Sequence, residues 1–206
     1  MKRNYQIELE RELDRSTQKR RLLLHACCAP CSSYVLEYLT RYFDITVYFY
    51  NPNITFAEEY QKRLNELLRL IDVMPHENKI EVVDGDYEPE RFLVLSSGLE
   101  ELPEGGARCF SCYRLRLEKT AEYFAAHRED FDYFATTLTV SPHKNAEKLN
   151  EIGFELAEKY SLNWLPSDFK KREGYKRSIE LSRLYGLYRQ DYCGCEFSRR
   201  AKHGDD

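Results

Sequence analysis

Arg21-Leu-Leu-Leu-His-Ala26 is a short apolar run, and Ile45-Thr-Val-Tyr-Phe-Tyr50 repeats its character. Neither alternates polar with apolar residues as a half-solvated strand does. Each therefore reads as a strand covered on both faces, the habit of parallel sheets. Further strand candidates are Lys79 to Asp84, Phe131 to Thr137 and a short stretch around Leu162 to Leu165. Between them the period changes: Tyr60, Leu64, Leu67, Leu68 and Ile71 form one apolar stripe at helical spacing, which leaves Arg63, Glu66 and Arg69 facing water. Residues 109–127, 144–160 and 175–186 also carry helical periodicity, with Gly186 placed to stop the last. Parallel neighbours need a crossover and helices supply it, so the expected fold is α/β, a mostly parallel sheet with helices on both faces.

The chain has 206 residues, enough for one domain with its own core. No repeat or Pro/Gly-rich linker invites a cut. Residues 1–20 read as a charged arm or exposed helix, 21–198 as a single α/β domain and 199–206 as a charged tail. Hydrophobic residues at 42% and charged residues at 32% exclude a disordered or membrane-embedded chain. No apolar run approaches bilayer length, and Met1 to Arg21 is charged where a signal peptide would be apolar, so a cytoplasmic location is expected. In that reducing compartment seven cysteines are expected as metal ligands or redox groups rather than disulfides.

A net charge of −4 offers no global case for nucleic-acid binding. A local case exists in Lys170, Lys171, Arg172, Lys176 and Arg177, although a solvated charged face explains such a run as well.

Every cysteine falls in one of three groups: Cys27, Cys28 and Cys31; Cys109 and Cys112; Cys193 and Cys195. Structural cysteines would scatter among apolar neighbours, whereas these lie beside Pro30, Gly105-Gly106 and Gly194 at turns and helix starts. A C-x-x-C at a helix start puts two sulfurs on one face, where the helix N-terminus favours thiolate. Soft thiolates select zinc, copper(I) or iron–sulfur clusters, and spacing does not choose among them. Zinc would take four thiolates and leave three without a task. The surplus, with nearby carboxylates at Asp168 and Asp191, favours a cluster beside a second metal. A disulfide oxidoreductase would use only one of the groups. ATP use is disfavoured, because the loop after the first strand has no glycine to approach phosphates.

Seven motifs in order, spread over about residues 21–198, now become informative together: His25-Ala-Cys-Cys-Ala-Pro-Cys31, Tyr50-Asn-Pro-Asn-Ile54, Arg108-Cys-Phe-Ser-Cys-Tyr113, Thr136-Thr-Leu138 with Ser141-Pro142, Asp168-Phe-Lys-Lys171, Gly174-Tyr-Lys-Arg-Ser178 and Tyr192-Cys-Gly-Cys195. In these the chain resembles the cobalamin-independent, QueH-type epoxyqueuosine reductases, which complete the modified nucleoside queuosine in bacterial tRNA. The resemblance implies an adenine-nucleotide-hydrolase-like (Rossmann-like) fold carrying a 4Fe-4S cluster and an adjacent iron ion. Carried onto this sequence, it makes Cys27, Cys28, Cys109 and Cys112 the expected cluster ligands, and Cys193, Cys195 and Asp168 those of the adjacent iron. Asp168 is preferred to Asp191 because it lies in a shared motif, although it could equally cap the helix that follows. Cys31 is left as ligand, resolving thiol or buried first-turn residue, and His25 as proton donor or as a hydrogen-bonded end to a buried strand.

Turning an epoxide into an alkene takes two electrons and two protons and releases water. A second metal would bind the epoxide oxygen as a Lewis acid and share in electron supply. Electrons are expected from a ferredoxin or flavodoxin-like donor, and the tRNA anticodon loop is expected to meet Lys170, Lys171, Lys176 and Arg177. The rival from another class is a zinc-stabilised RNA-binding module without redox activity.

Overall fold

The structure is a computed structural model and describes residues 3–15 and 18–203; residues 1, 2, 16 and 17 of the expected arm and 204–206 of the expected tail lie outside the described residues. Four strands, β1 (Arg20–His25), β2 (Phe43–Phe49), β3 (Ile80–Asp84) and β4 (Tyr133–Thr136), form an all-parallel sheet ordered β3-β2-β1-β4. The helices are α1 (Tyr5–Asp14), α2 (Ala29–Leu39), α3 (Ala57–Val73), α4 (Pro89–Ser96), α5 (Ala107–Ala126), α6 (Ala146–Tyr160), α7 (Gly174–Leu184) and α8 (Glu196–His203).

Leu22, Leu23 and Leu24 are fully buried because β1 is central and covered on both sides. Successive side chains of a strand point to opposite faces. Leu22 and Leu24 accordingly join a core with Leu9 of α1, Val35 and Leu36 of α2 and Leu64 and Leu67 of α3. Leu23 points the other way, into a core with Leu117 and Phe124 of α5 and Leu149 and Leu156 of α6. The chain thus steps outward from β1 to β2 and β3, then returns to add β4 on the other side of β1. The loops leaving β1 and β4 diverge at this reversal, and that crevice is where open α/β sheets bind ligands.

Three local expectations change. On α3 the buried positions are Tyr60, Arg63, Leu64, Leu67 and Leu70, while Leu68 is exposed. Arg63, expected in water, is 2% exposed because its partners lie in a distant loop that folds back over the helix. The stretch around Leu162 to Leu165 adds only a single parallel bridge, Phe134 to Trp164. Pro166 follows at once and has no amide hydrogen with which to extend the ladder. Within residues 1–20, α1 buries one face through Leu9 and Leu13 and is not a free arm. Among the described residues, no helix is long and apolar enough to cross a membrane.

Candidate metal centre

The first sulfur group forms where β1 gives way to α2. Cys28 is the extended N-cap residue of α2, Pro30 occupies its first turn, and Cys31 follows. The Cys27 and Cys28 Sγ atoms are 3.7 Å apart, and those of Cys27, Cys28 and Cys31 all lie within 4.8 Å of one another. Asn51 Nδ2 fixes the loop by donating to the Ala26 carbonyl at 2.8 Å. The Cys28 thiol sits well below its ordinary pKa, chiefly because Cys27 and Cys31 hydrogen-bond to its sulfur, with help from the Arg63 charge.

The second group sits on α5. Gly105, at φ +86°, turns its N–H onto Cys109 Sγ at 3.2 Å, a left-handed backbone that suits glycine. Cys112 lies one turn on, packed with Phe92 and Cys195, and burial pushes its thiol up to about 11. The third group is held by contacts from afar. Arg63 donates to the carbonyls of Cys193 at 3.1 Å and Tyr192 at 3.4 Å, and its Nε meets Glu59 at 2.7 Å. Asn53 Nδ2 also donates to the Cys193 carbonyl, at 3.4 Å. Between the two cysteines Gly194 takes φ +114°, and a Cβ there would come within 2.9 Å of Ile54. Burial pushes the Cys195 thiol up to about 12.

These groups meet in two adjoining cavities. The larger, about 280 Å³, is lined by Cys27, Cys28, Cys31 and Cys193. The smaller, about 20 Å³, is lined by Cys109, Cys112, Cys193 and Cys195. Cys193, Glu104, Arg116 and Lys144 line both. Lys144 Nζ donates to Cys193 Sγ at 3.2 Å. Burial opposes the Lys144 charge, yet the combined attraction of Cys193, Tyr113 and Cys27 holds the ammonium above its ordinary range.

All seven cysteines are free thiols lining one cavity or the other. The sulfur contacts group Cys27 and Cys28 with Cys31, and the smaller cavity groups Cys109 and Cys112 with Cys193 and Cys195. Asp168, expected beside the second metal, lies outside both linings and is paired with Lys170 at 2.8 Å, whereas Asp191 lines the larger cavity. His25 is fully buried, with Nδ1 2.9 Å from Thr136 Oγ1 and Nε2 3.1 Å from the Tyr50 carbonyl. A carbonyl only accepts, so Nε2 carries the hydrogen and Nδ1 accepts from Thr136. Both nitrogens are committed, and burial lowers the pKa to about 3, so His25 is a hydrogen-bonded end to its strand.

The basic run is substantially paired: Lys171 donates to Asn4 Oδ1 at 3.3 Å, Lys176 meets Glu173 at 3.4 Å and Arg177 meets Glu37 at 2.6 Å. Tyr175 and Ser178 of the same helix line the larger cavity, so this basic surface adjoins its rim. Sequence reasoning missed Arg116 and Lys144. Arg116 follows Cys112 by one helical turn, and Lys144 stands two residues after a quoted motif, Ser141-Pro142. Those spacings were the available signals.

A family model described as epoxyqueuosine reductase QueH matches residues 22–201. Curated relatives bearing that description include one from Streptococcus pyogenes serotype M1, 45% identical over 87% of this chain and 70% of the relative. One from Staphylococcus epidermidis is 43% identical over 90% and 79%, and one from Thermotoga maritima 35% identical over 89% and 94%. The sulfur-lined crevice, the order of its motifs and these matches lead to one conclusion: the chain belongs to the epoxyqueuosine reductase QueH family.

Proposed function

We propose that the chain reduces epoxyqueuosine in tRNA to queuosine, using a 4Fe-4S cluster and an adjacent iron ion. The observation that carries this is the convergence of seven free thiols, drawn from three distant segments, on two adjoining cavities. Such an all-sulfur donor set fits soft or iron–sulfur metals. It also exceeds what one closed zinc site consumes. In this reading Cys27, Cys28, Cys109 and Cys112 hold the cluster, and Cys193 and Cys195 hold the iron. Of the carboxylates, Asp191 takes the place expected of Asp168, because it borders the cavity and Asp168 does not.

A second partition has its own support. Metal–sulfur bonds of about 2.3 Å set tetrahedral edges of roughly 3.8 Å, and the Cys27–Cys28 separation of 3.7 Å matches such an edge. Cys27, Cys28 and Cys31 would then hold the single ion, with Cys109, Cys112, Cys193 and Cys195 holding the cluster. The Cys31→Ser variant separates the two: iron and activity survive under the first partition, and the single ion is lost under the second.

When bound, the metal group supplies low-potential electrons and a Lewis acid for the epoxide oxygen. The chain's own residues supply the setting. Arg116 and Lys144 place positive charge between the cavities, which favours negative charge developing on sulfur or on a departing oxygen. Tyr175, Tyr192, Gln190 and Asp191 line the larger cavity, where a nucleoside tip splayed from an RNA loop finds aromatic faces and hydrogen-bonding groups. Lys170, Lys171, Lys176 and Arg177 contact phosphates by exchanging their present partners, most readily at Lys176, whose pair with Glu173 is exposed and contributes only about 0–1 kcal/mol. A ferredoxin or flavodoxin-like protein supplies electrons, and the cytoplasm keeps the thiols reduced.

The test is anaerobic reconstitution followed by iron and sulfide analysis, visible and paramagnetic-resonance spectra, and turnover of tRNA carrying epoxyqueuosine without cobalamin. Brown protein holding more iron than one cluster needs, and forming queuosine, is expected. Colourless, zinc-loaded protein with no turnover overturns the proposal in favour of a zinc-stabilised RNA-binding module.

A further inference from the structure

Arg116 lies on α5 one turn beyond Cys112 and is 1% exposed. Its Nε donates to the Cys112 carbonyl at 3.3 Å, and its guanidinium lies 5.8 Å from the centre of the Tyr113 ring. Its Nη2 is buried and has no hydrogen-bond partner. A charged donor left in that state is costly unless an acceptor that completes the site takes its hydrogen. The residue borders both cavities. Burial opposes its charge, and the groups that sustain it are Cys112, Cys193 and Cys27, one from each sulfur group. The orphan donor calls for an acceptor, and cysteines of all three sulfur groups line the two cavities that Arg116 borders, which favours an anionic sulfur.

We propose that Arg116 is a positioning residue that gives its Nη2 hydrogen to a sulfur of the iron–sulfur group, holding its negative charge and easing its reduction. The inference rests on the iron–sulfur reading above and adds a residue outside the ligand set. An incoming electron raises the negative charge of a cluster, and hydrogen bonds to its sulfurs together with nearby net charge set its potential. A guanidinium suits the task because it never loses its proton and its planar fork can hold one hydrogen on the Cys112 carbonyl while offering another to sulfur. Lys144 already donates from Nζ to Cys193 Sγ at 3.2 Å, whereas the Arg116 Nη2 hydrogens are without an acceptor.

The experiment compares wild type with Arg116→Gln and Arg116→Lys, all reconstituted anaerobically. Acid-labile sulfide in the wild type is read first, and its absence overturns the iron–sulfur reading, and this inference with it, before any substitution is considered. With the cluster present, potentiometric titration followed by paramagnetic resonance gives the ratio of reduced to oxidised cluster. At the wild-type midpoint that ratio is expected to fall about tenfold in Arg116→Gln, a downward shift of about 59 mV for one electron. A smaller fall is expected in Arg116→Lys, which keeps the charge and loses the fork. Should Arg116→Gln fail to fold by circular dichroism, Arg116→Lys carries the same reading. Midpoints equal to wild type in folded, fully loaded variants overturn the assignment.

Discussion

The two cavities share Cys193, Glu104, Arg116 and Lys144 and differ in almost everything else. The larger is bordered by Ser141, His143, Tyr175, Gln190, Asp191 and Tyr192, whereas the smaller is lined by Phe92, Tyr113 and Cys109, Cys112 and Cys195. One has the polar border of a substrate chamber. The other is a small space against the interior, rich in sulfur. The shared charged side chains serve both, so a charge placed in one cavity is felt in the other.

The sharpest way to break this contrast is the same substitution made on each side. Cys28→Ser is expected to lower turnover by about a thousandfold or more, equivalent to about 4 kcal/mol of barrier. It should leave the metal-free fold nearly as stable, because Cys28 is the N-cap of α2, a position that favours serine. Cys112→Ser, packed against Phe92 and Cys195, should also end turnover and in addition destabilise the metal-free chain by about 1–3 kcal/mol. Equal melting temperatures for the two metal-free variants would erase the distinction between the turn after β1 and the interior face of α5.

Arg63→Met is next in size. It removes a buried partner of Glu59 and two bonds to the Tyr192–Cys193 carbonyls. A loss of about 3–5 kcal/mol is expected, lowering the melting temperature on the order of 10 °C. A loss below about 1 kcal/mol would mean that the closing loop does not depend on α3. Gly194→Ala places a side chain at φ +114° and against Ile54. It should lower stability by about 1–3 kcal/mol and loosen iron held by Cys193 and Cys195 more than cluster iron. The smallest effect is expected at the rim. Lys171→Glu and Lys176→Glu should weaken tRNA binding while metal content is unchanged, each lowering the slope of log affinity against log salt by about 1. An unaltered slope would separate the basic run from RNA binding.

The layout of strands and helices was legible because it rests on local period: Leu22 to Leu24 and the run from Ile45 declare burial on both faces without reference to anything distant. The three cysteine groups were legible through residue type and spacing, and their segments do come together around two adjoining cavities. Less legible was what depends on which side chain meets which. Arg63 was assigned to water because nothing within a helical turn shows that Tyr192 and Cys193 will lie across it. Asp168 looked suitable by motif, yet Lys170, two residues on, pairs with its carboxylate, and it lies outside both cavity linings. For His25 the sequence left two roles open, and Thr136 and the Tyr50 carbonyl take both nitrogens, as in a hydrogen-bonded strand end. Leu68 and Leu70 differ in burial because two apolar positions on one helix compete for the same edge of the stripe, and only packing decides between them.

The loop from Tyr192 to Cys195 closes a pocket that the turn after β1 began, and that order matters during synthesis. A ribosome adding about 5–20 residues per second needs on the order of ten to thirty seconds to travel from Cys28 to Cys193. Throughout that interval the growing polypeptide displays unpaired thiols without the wall that Cys193 supplies. On the proposed iron–sulfur reading, metal delivered early would find an incomplete cradle, and assembly would follow translation of this loop.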